Sequence, residues 1–217
     1  MKIHKVVDEI YRLSVNIEEE GYLFEGLWPV PNGVSINGYL IKGEKNVLID
    51  LTQDILDFPA AIERQIESAS LTLEDIDILV VNHMEPDHSG WLREFCQKNT
   101  KAVIYCSEKA VPLLEAFSAV PAERAVAISD GMTLEVGDYE LQFFNTPNIH
   151  WPETMMTYEK KRGILFACDA FGSYGSVEED AVFDDQVSDE KHAFYEKESL
   201  RYYANIVAGF SLPVLKG

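Results

Sequence analysis

Cysteine is scarce in this chain of 217 residues, and its few thiols are poorly placed for cross-linking. The three cysteines, Cys96, Cys106 and Cys168, are odd in number, widely spaced and form no C-x-x-C pair. This spacing argues against a disulfide framework and against a zinc or iron–sulfur site built from cysteine. We expect each thiol to act as a small buried hydrophobe, and we predict a reducing, cytoplasmic location.

Basic residues are also few, since 18 Lys and Arg stand against 37 Asp and Glu and give a formal net charge of −19. Such a surface repels phosphate backbones and anionic lipid, so we expect neither nucleic-acid binding nor membrane attachment. The amino terminus lacks the apolar core of a signal peptide. No apolar run approaches the roughly 20 residues that a membrane-spanning helix needs. Small neutral molecules, cations and basic proteins remain as partners.

Internal repeats, low-complexity tracts and flexible linkers are absent from the sequence, which indicates one domain over residues 1–217. With 47% hydrophobic residues, the chain can build a packed core. Two β-rich blocks have helices between and outside them, which predicts an α/β fold with two packed sheets covered by helices, a four-layer αββα sandwich. The predicted strands cover 12–17, 38–41, 46–50, 77–82, 102–106, 125–128, 132–136, 139–145, 155–158 and 164–168, and the predicted helices cover 55–68, 89–98, 108–117 and 189–210.

The most informative segment is H-M-E-P-D-H at residues 83–88, which holds two imidazoles and two carboxylates directly after an apolar strand. Sites in α/β proteins usually lie at the carboxyl ends of strands. We expect residues 83, 85 and 87 to alternate along an extended loop, with His88 turned inward where a helix begins. Mixed nitrogen and oxygen donors are typical of a transition-metal site. The alternative is a solvated loop in which Asp87 or Ser89 caps the helix.

Two further candidate ligands follow predicted strands later in the chain. His150 comes after the strand that ends at residue 145, and Asp169 ends the strand 164–168. An acid at the end of a buried strand is costly unless it is paired or bound to metal. Taken singly, each residue fits a structural role as well, His150 in a hydrogen-bonded loop and Asp169 as a cap. Combined with the segment 83–88, both favour a metal site.

This set of motifs resembles the flavodiiron proteins, the oxygen- and nitric-oxide-reducing branch of the metallo-β-lactamase superfamily. The resemblance comprises H-x-E-x-D-H at 83–88, T-P-x-x-H-W-P at 146–152 and F-A-C-D-A-F-G at 166–172, and it extends to 33–41 and 201–206. It implies a metallo-β-lactamase-like αββα fold. Hydrolytic zinc members usually carry His where this chain has Glu85. The harder carboxylate oxygen at that position favours iron over zinc.

The resemblance implies a diiron centre that binds O₂ or NO and reduces O₂ to water or NO to N₂O. It also implies Trp151 and Tyr174 as catalytic residues in the pocket wall, with Trp28 as a further wall. Ordinary aromatic packing is the alternative for each of these three. The implied metal ligands are His83, Glu85 and His150 for one iron, Asp87 and His88 for the second, and Asp169 as the bridge between them.

Two features of the flavodiiron pattern are missing from the sequence. The family supplies a further histidine to the second iron from beyond a C-terminal helix, whereas only His4 and His192 remain here, and we expect His192 to face solvent. The chain therefore looks shortened at its C-terminal end. The family also carries a flavodoxin-like domain with FMN, whose phosphate loop this chain lacks. We expect FMN on a separate or missing domain, and slow or no turnover without it.

Several functional alternatives stay open at this point. The resemblance implies a flavodoxin- or rubredoxin-type electron donor and the family's head-to-tail homodimer. A stand-alone diiron O₂ sensor of the same fold would bind the gas without rapid reduction. A zinc-dependent hydrolase is the third reading, and Glu85 disfavours it.

Overall fold

Thirteen strands form two sheets and one short hairpin in the part of the chain that the computed structural model describes, residues 2–178 and 181–217. Numbered along the chain, they are β1 (His4–Val7), β2 (Ile10–Ile17), β3 (Leu23–Phe24), β4 (Trp28–Pro29), β5 (Val34–Ile41), β6 (Asn46–Ile49), β7 (Ile76–Val81), β8 (Val103–Ser107), β9 (Ala125–Ile128), β10 (Thr133–Val136), β11 (Tyr139–Asn145), β12 (Met155–Glu159) and β13 (Ile164–Phe166). Ten of them correspond to predicted strands, with bounds that differ by up to four residues, whereas β1, β3 and β4 were not predicted.

The larger sheet has seven strands in the spatial order β1-β2-β5-β6-β7-β8-β9. Pairing is antiparallel from β1 to β6 and parallel from β6 to β9. Strand β7 is the apolar run predicted from the sequence, and it is almost wholly buried, as central parallel strands are. Because β6, β7 and β8 run in the same direction, their carboxyl ends meet at one edge of the sheet.

The smaller sheet contains the four antiparallel strands β10 to β13. Leu141 and Phe143 of β11 belong to one buried cluster with Ile49 and Val80 of the larger sheet. This cluster is the core between the two sheets. The predicted α/β sandwich is therefore confirmed.

Helices cover the other face of the larger sheet. Ile62, Ile66 and Phe95 share a second buried cluster with Leu48 and Leu79. Among the residues described here, no helix combines the length and the apolar character needed to cross a membrane. The α-helices are α1 (Phe58–Ser68), α2 (Pro86–Ser89), α3 (Leu92–Lys98), α4 (Val111–Ser118), α5 (Asp189–Tyr202) and α6 (Ser211–Val214).

Two boundaries differ from the prediction in ways that affect the site. Helix α1 begins three residues later than predicted, because Pro59 suits the first turn of a helix and Ile55 lies before it, 36% exposed. Strand β13 ends at Phe166 rather than at residue 168. Asp169 therefore lies in the loop after the strand, where the backbone can turn its side chain toward the larger sheet.

Candidate metal centre

The candidate centre lies where three parallel strands end and meet loops of the smaller sheet. Asp50 follows β6, His83 follows β7, and Ser107 is the last residue of β8. The N–H of Asn82 donates to Asp50 Oδ1 at 2.7 Å, and Ser107 Oγ donates to the carbonyl oxygen of Glu153 at 2.6 Å. These bonds join neighbouring strand ends and anchor the loop that follows β11.

The residues after β7 form the one-turn helix α2 instead of an extended loop. Proline in its first turn fixes a helical φ, so Asp87 and His88 both lie within the helix. The prediction of alternation through residue 87 is wrong for this reason, whereas the inward turn of His88 is confirmed by its burial. The capping alternative is also wrong, because Glu85 occupies the cap position and makes no side-chain cap bond.

Gly90 allows α2 to pack closely against the loop after β6. A Cβ atom on Gly90 would lie 3.1 Å from the backbone nitrogen of Asp54 and 3.2 Å from the Cα atom of Gln53 in that loop, and 2.6 Å from the carbonyl oxygen of Pro86, so a larger residue does not fit without a shift. The N–H of Leu51 donates to the carbonyl of His88 at 2.9 Å. This packing places His88 beside Asp50.

Three predicted ligands, His83, Glu85 and His150, converge in a group that we name the His83 cluster. Glu85 Oε2 lies 3.1 Å from His83 Nε2 and 2.9 Å from His150 Nε2. Asp169 Oδ2 lies 3.5 Å and 3.4 Å from the same two nitrogens. One donor atom from each of these four residues lies within 4.8 Å of the others. Such convergence suits a single ion with ligands at about 2 Å.

The other two predicted ligands, Asp87 and His88, form a second group that we name the His88 cluster. His88 Nε2 lies 2.8 Å from Asp169 Oδ1 and 3.6 Å from Asp87 Oδ2. Donor atoms of these two residues and of Asp169 also fall within 4.8 Å of one another. The structure thus brings all six sequence-predicted ligands together.

Asp169 faces the two clusters with different oxygens. Its Oδ2 is directed to the imidazoles of His83 and His150, and its Oδ1 to that of His88. Within the described residues, Asp87 Oδ1 is buried without a hydrogen-bond partner, and buried Asp169 Oδ2 has only the two long contacts of 3.4 and 3.5 Å to imidazole nitrogens. A buried carboxylate oxygen without a donor is costly unless a cation compensates it. The donor set therefore fits a pair of metal ions.

Two carboxylates that the sequence analysis did not single out support the imidazoles. His83 Nδ1 donates to Glu153 Oε1 at 2.7 Å, and His88 Nδ1 lies 3.5 Å from Asp50 Oδ2. A metal-binding histidine usually donates its second ring N–H to such a partner, which fixes the ring and its tautomer. Their positions in the sequence could have indicated these supporting roles, since Asp50 directly follows a buried strand and Glu153 follows His150 by three residues.

Both imidazoles of the His83 cluster are basic in the absence of metal. Burial alone would lower the pKa of His83, but hydrogen bonds to Glu153 and Glu85 outweigh it and raise this pKa to about 9. Burial is likewise outweighed at His150, where Asp169 and Glu85 raise the pKa to about 10. Both rings therefore hold a proton that a metal ion must displace.

The carboxylates of the two clusters titrate differently. Burial would raise the pKa of Glu85, but hydrogen bonds from His150 and His83 lower it to about 2. At Asp87 burial prevails over the attraction of His88, and the pKa rises to about 6. Glu85 in the His83 cluster is therefore ionised at neutral pH, whereas Asp87 in the His88 cluster takes up a proton more easily.

The predicted pocket residues lie at different depths. Trp151 is half-buried and meets the His83 ring edge-on, with centroids 5.0 Å apart. Tyr174 is fully buried and packs against Phe24 and Tyr202, with centroids 5.7 Å and 5.3 Å away. Trp28 is half-buried in β4 and packs on the same core. A catalytic role for Trp151 and Tyr174 stays a prediction.

The three cysteines and His192 were also placed by the sequence prediction. Cys96 and Cys106 are buried as predicted, but Cys168 is only half-buried, and its Sγ lies 3.8 Å from His88 Nδ1. The thiol lies near His88 because Cys168 immediately precedes Asp169 in the chain. His192 is exposed on α5, as expected, and lies 3.8 Å from Glu196.

Comparison with known proteins places this geometry in a family. The model of a family described as "ODP family beta lactamase" matches residues 34–204. The chain belongs to this family. Its similar curated relatives include the anaerobic nitric oxide reductase flavorubredoxin of Salmonella typhi, 38% identical over 180 residues, which cover 82% of this chain and 36% of that protein.

Solved structures show that the same fold occurs in flavodiiron proteins. A flavoprotein of Thermotoga maritima aligns with a TM-score of 0.86 and 31% identity, over 99% of this chain and 52% of that one. The rubredoxin oxygen:oxidoreductase of Desulfovibrio gigas aligns with a TM-score of 0.89 and 26% identity, over 99% of this chain and 51% of that one. This chain therefore has the metallo-β-lactamase-like fold of the diiron domain of flavodiiron proteins. It spans about a third to a half of the length of these relatives.

Proposed function

We propose that residues 1–217 form the diiron domain of a flavodiiron-type oxidoreductase that reduces O₂ to water, NO to N₂O, or both, with electrons from an FMN protein. The observation that carries this proposal is Asp169, whose two oxygens face two separate groups of donors. The proposed iron ligands are His83, Glu85 and His150 for one ion, Asp87 and His88 for the other, and Asp169 for both.

Iron suits this donor set better than zinc. Three carboxylates and three imidazoles supply as many oxygen as nitrogen donors, and hard oxygen donors favour oxidisable iron over zinc. Glu85 contacts both imidazoles of the His83 cluster, so a carboxylate lies at the centre of that group. A zinc hydrolase remains the weaker reading for this reason.

When bound, two ferrous ions would supply electrons and coordination positions for the diatomic gas. The protein's own contribution is positioning. Glu153 holds the His83 ring by the 2.7 Å bond from Nδ1, which leaves Nε2 directed into the centre. Trp151 packs edge-on against the same ring and shields it from water.

Electrons must come from outside the residues described here. Reduction of one O₂ to two waters takes four electrons, two more than a pair of ferrous ions can give. The names flavorubredoxin and rubredoxin oxygen:oxidoreductase, carried by two relatives, support a flavin-bearing domain and a rubredoxin- or flavodoxin-type donor. We extend this to the present chain as a proposal, together with a homodimer and a cytoplasmic location.

A reconstitution experiment tests the proposal. The chain is loaded anaerobically with Fe(II), its metal content is measured, and O₂ or NO consumption is followed with chemically reduced flavodoxin as donor. We expect two irons per chain, with sustained consumption only when the flavoprotein is present.

Three outcomes would contradict the proposal. Zinc at full occupancy together with esterase or lactamase activity would support a hydrolase. An oxygenated form that persists for minutes in the presence of the reduced donor would support an O₂ sensor. Rapid, sustained consumption without any flavoprotein would contradict the need for an FMN partner.

A further inference from the structure

A strip of polar side chains interrupts the core between the two sheets. Residues on one face of β2 pair with residues on the same face of β5. The neighbouring pair, Ile10 and Ile41, is apolar and belongs to the core. The polar pairs are Arg12 with Tyr39, Ser14 with Asn37, and Asn16 with Ser35.

Part of this strip is explained by hydrogen bonds to the backbone of Val177 and Ala181. Val177 N–H donates to Ser35 Oγ at 2.7 Å, Asn16 Nδ2 donates to the carbonyl of Val177 at 3.4 Å, and Arg12 Nη2 donates to the carbonyl of Ala181 at 3.0 Å. Ser35, Asn16 and Arg12 thus hold the backbone of Val177 and Ala181 to the sheet. Asn37 and Tyr39 take no part in these three bonds.

Asn37 and Tyr39 instead line a cavity of about 160 Å³ that reaches the metal centre. Asp50, His88 and Asp169 also line it, and Asn37 Oδ1 accepts a hydrogen bond of 2.6 Å from Ser14 Oγ. A water molecule occupies about 30 Å³ of liquid, so this cavity has room for several waters among polar partners.

A second space lies on the far side of the same side chains. A groove of about 940 Å³ runs along α5, and Ser35, Asn37 and Ser173 line both this groove and the inner cavity. His192 and Glu196, both exposed on α5, lie along the groove. These three polar side chains therefore border both the groove and the inner cavity.

We propose that Asn37 and Tyr39 line a water-filled path that carries protons from the groove along α5 to the candidate metal centre. This inference rests on the proposed function, in which O₂ with four electrons and four protons gives two waters. Two NO with two electrons and two protons give one N₂O and one water. The electrons come from the FMN protein, and the protons must cross the protein from solvent.

The polar part of the lining suits protons better than gas, whereas other lining side chains, such as Val34, Ile36 and Phe166, are apolar. Hydroxyl and amide groups exchange hydrogen bonds with a chain of waters, whereas O₂ and NO gain nothing from them. Burial raises the pKa of Tyr39, so its hydroxyl stays protonated. The hydroxyl can donate its proton to one water only when it accepts a proton from another. The Tyr39 ring is held against Phe166, with centroids 4.9 Å apart.

The test compares Tyr39→Phe with Tyr105→Phe. Tyr105 is a matched control, since it is also half-buried, packs against the same core and stacks on a phenylalanine, Phe143, but does not line the cavity. Iron-loaded proteins are mixed with O₂ and reduced flavodoxin in H₂O and in D₂O. We expect Tyr39→Phe to slow reduction about tenfold and to increase the solvent isotope effect, with iron content unchanged.

Crystals of the same proteins give a readout that does not depend on activity. We expect ordered waters from Asp50 to Ser35 in the wild type and in Tyr105→Phe, and a broken chain in Tyr39→Phe. Xenon under pressure in the inner cavity, with no waters there, would overturn the proton path and indicate gas entry.

The two proposals fail in distinguishable ways. If the wild type consumes O₂ but Tyr39→Phe shows the same rate and the same isotope effect, only the proton path is overturned. If the iron-loaded wild type consumes neither O₂ nor NO with reduced flavodoxin, the proposed function fails, and the path loses the reaction that it would serve.

Discussion

The His83 cluster and the His88 cluster share Asp169 but differ in how firmly their side chains are held. In the His83 cluster, Glu85 lies within 3.1 Å of two imidazoles, and Glu153 anchors one of them at 2.7 Å. In the His88 cluster, the single imidazole is close only to the shared Asp169, at 2.8 Å, and has Asp50 at 3.5 Å and Asp87 at 3.6 Å.

This difference indicates the order in which metals bind. The His83 cluster with Asp169 offers four converging donors, whereas the His88 cluster with Asp169 offers three. Preorganised donors bind a metal with less loss of side-chain freedom. We therefore expect the first iron at the His83 cluster and a weaker second iron at the His88 cluster.

The largest expected effect comes from Asp169, which belongs to both halves. Asp169→Asn should weaken binding of the second metal by more than about 100-fold. Mutation of a residue that only hydrogen-bonds to a metal ligand already lowers metal affinity by about 10- to 100-fold. Chelator competition measures it, with Asp138→Asn in an exposed turn as the control. Unchanged affinities in both variants would show that Asp169 does not join the two sites.

The second largest effect is expected from pH, which should change the metal affinity of the His83 cluster more than that of the His88 cluster. Because the pKa values of His83 and His150 are about 9 and 10, two protons leave when metal enters the His83 cluster. Lowering the pH from 8 to 7 should then weaken that site by about 100-fold, and the single imidazole of the His88 cluster should lose only about tenfold. Calorimetric titrations at the two pH values measure both slopes; equal slopes would contradict the comparison.

The same raised pKa values predict the stability of the metal-free protein. A histidine whose folded pKa exceeds its usual 6.5 stabilises the fold fully below about pH 6.5 and loses this contribution as the pH rises through about 9 to 10. The melting temperature should fall from pH 7 to 10 without metal. It should fall much less with metal bound, because the metal replaces the protons.

The anchor of the His83 cluster should have a moderate effect. Glu153→Gln keeps the shape of the side chain but removes the charge that orients His83, so metal affinity there should fall about 10- to 100-fold. Separate titration of the two sites would locate the loss. An equal loss at the His88 cluster would mean that the variant disturbs the whole centre.

The smallest effect is expected at the anchor of the His88 cluster. Asp50 lies 3.5 Å from His88 Nδ1, too far for a strong hydrogen bond, so Asp50→Asn should cost metal affinity less than about tenfold. Asp50 also accepts from Asn82, so thermal melting of the variant is needed as a control. A loss larger than that of Glu153→Gln would reverse the proposed ranking of the two halves.

Local patterns in the sequence were sufficient to predict much of the fold and the four donors at residues 83–88, whereas His150 and Asp169 were favoured as ligands only in combination with that segment and with the family resemblance. Strand β7 reads as an apolar run, and the donors that follow it are nearly contiguous, so their proximity needs no long-range information. Residues 86–89 were predicted less well, because a four-residue helix with few apolar residues shows no helical spacing of apolar positions in the sequence. There Pro86 decides the outcome in favour of a helix.

The supporting residues could not be predicted, because they depend on contacts between distant segments. Glu153 reaches His83 across 70 positions, and Asp50 reaches Asn82 across 32. The polar strip at Asn37 and Tyr39 has the alternation of an ordinary half-exposed strand. Only the hydrogen bonds to Val177 and Ala181 and the cavity lined by Asn37 and Tyr39 show that this face is not open to solvent.

Stepwise anaerobic titration with ⁵⁷Fe(II), followed by Mössbauer spectroscopy, tests the central claim most directly. The claim is one centre with two unequal iron sites joined by Asp169. We predict two irons per chain, the second bound more weakly than the first, and magnetic coupling between them. One iron per chain, or two equal and uncoupled irons, would contradict it.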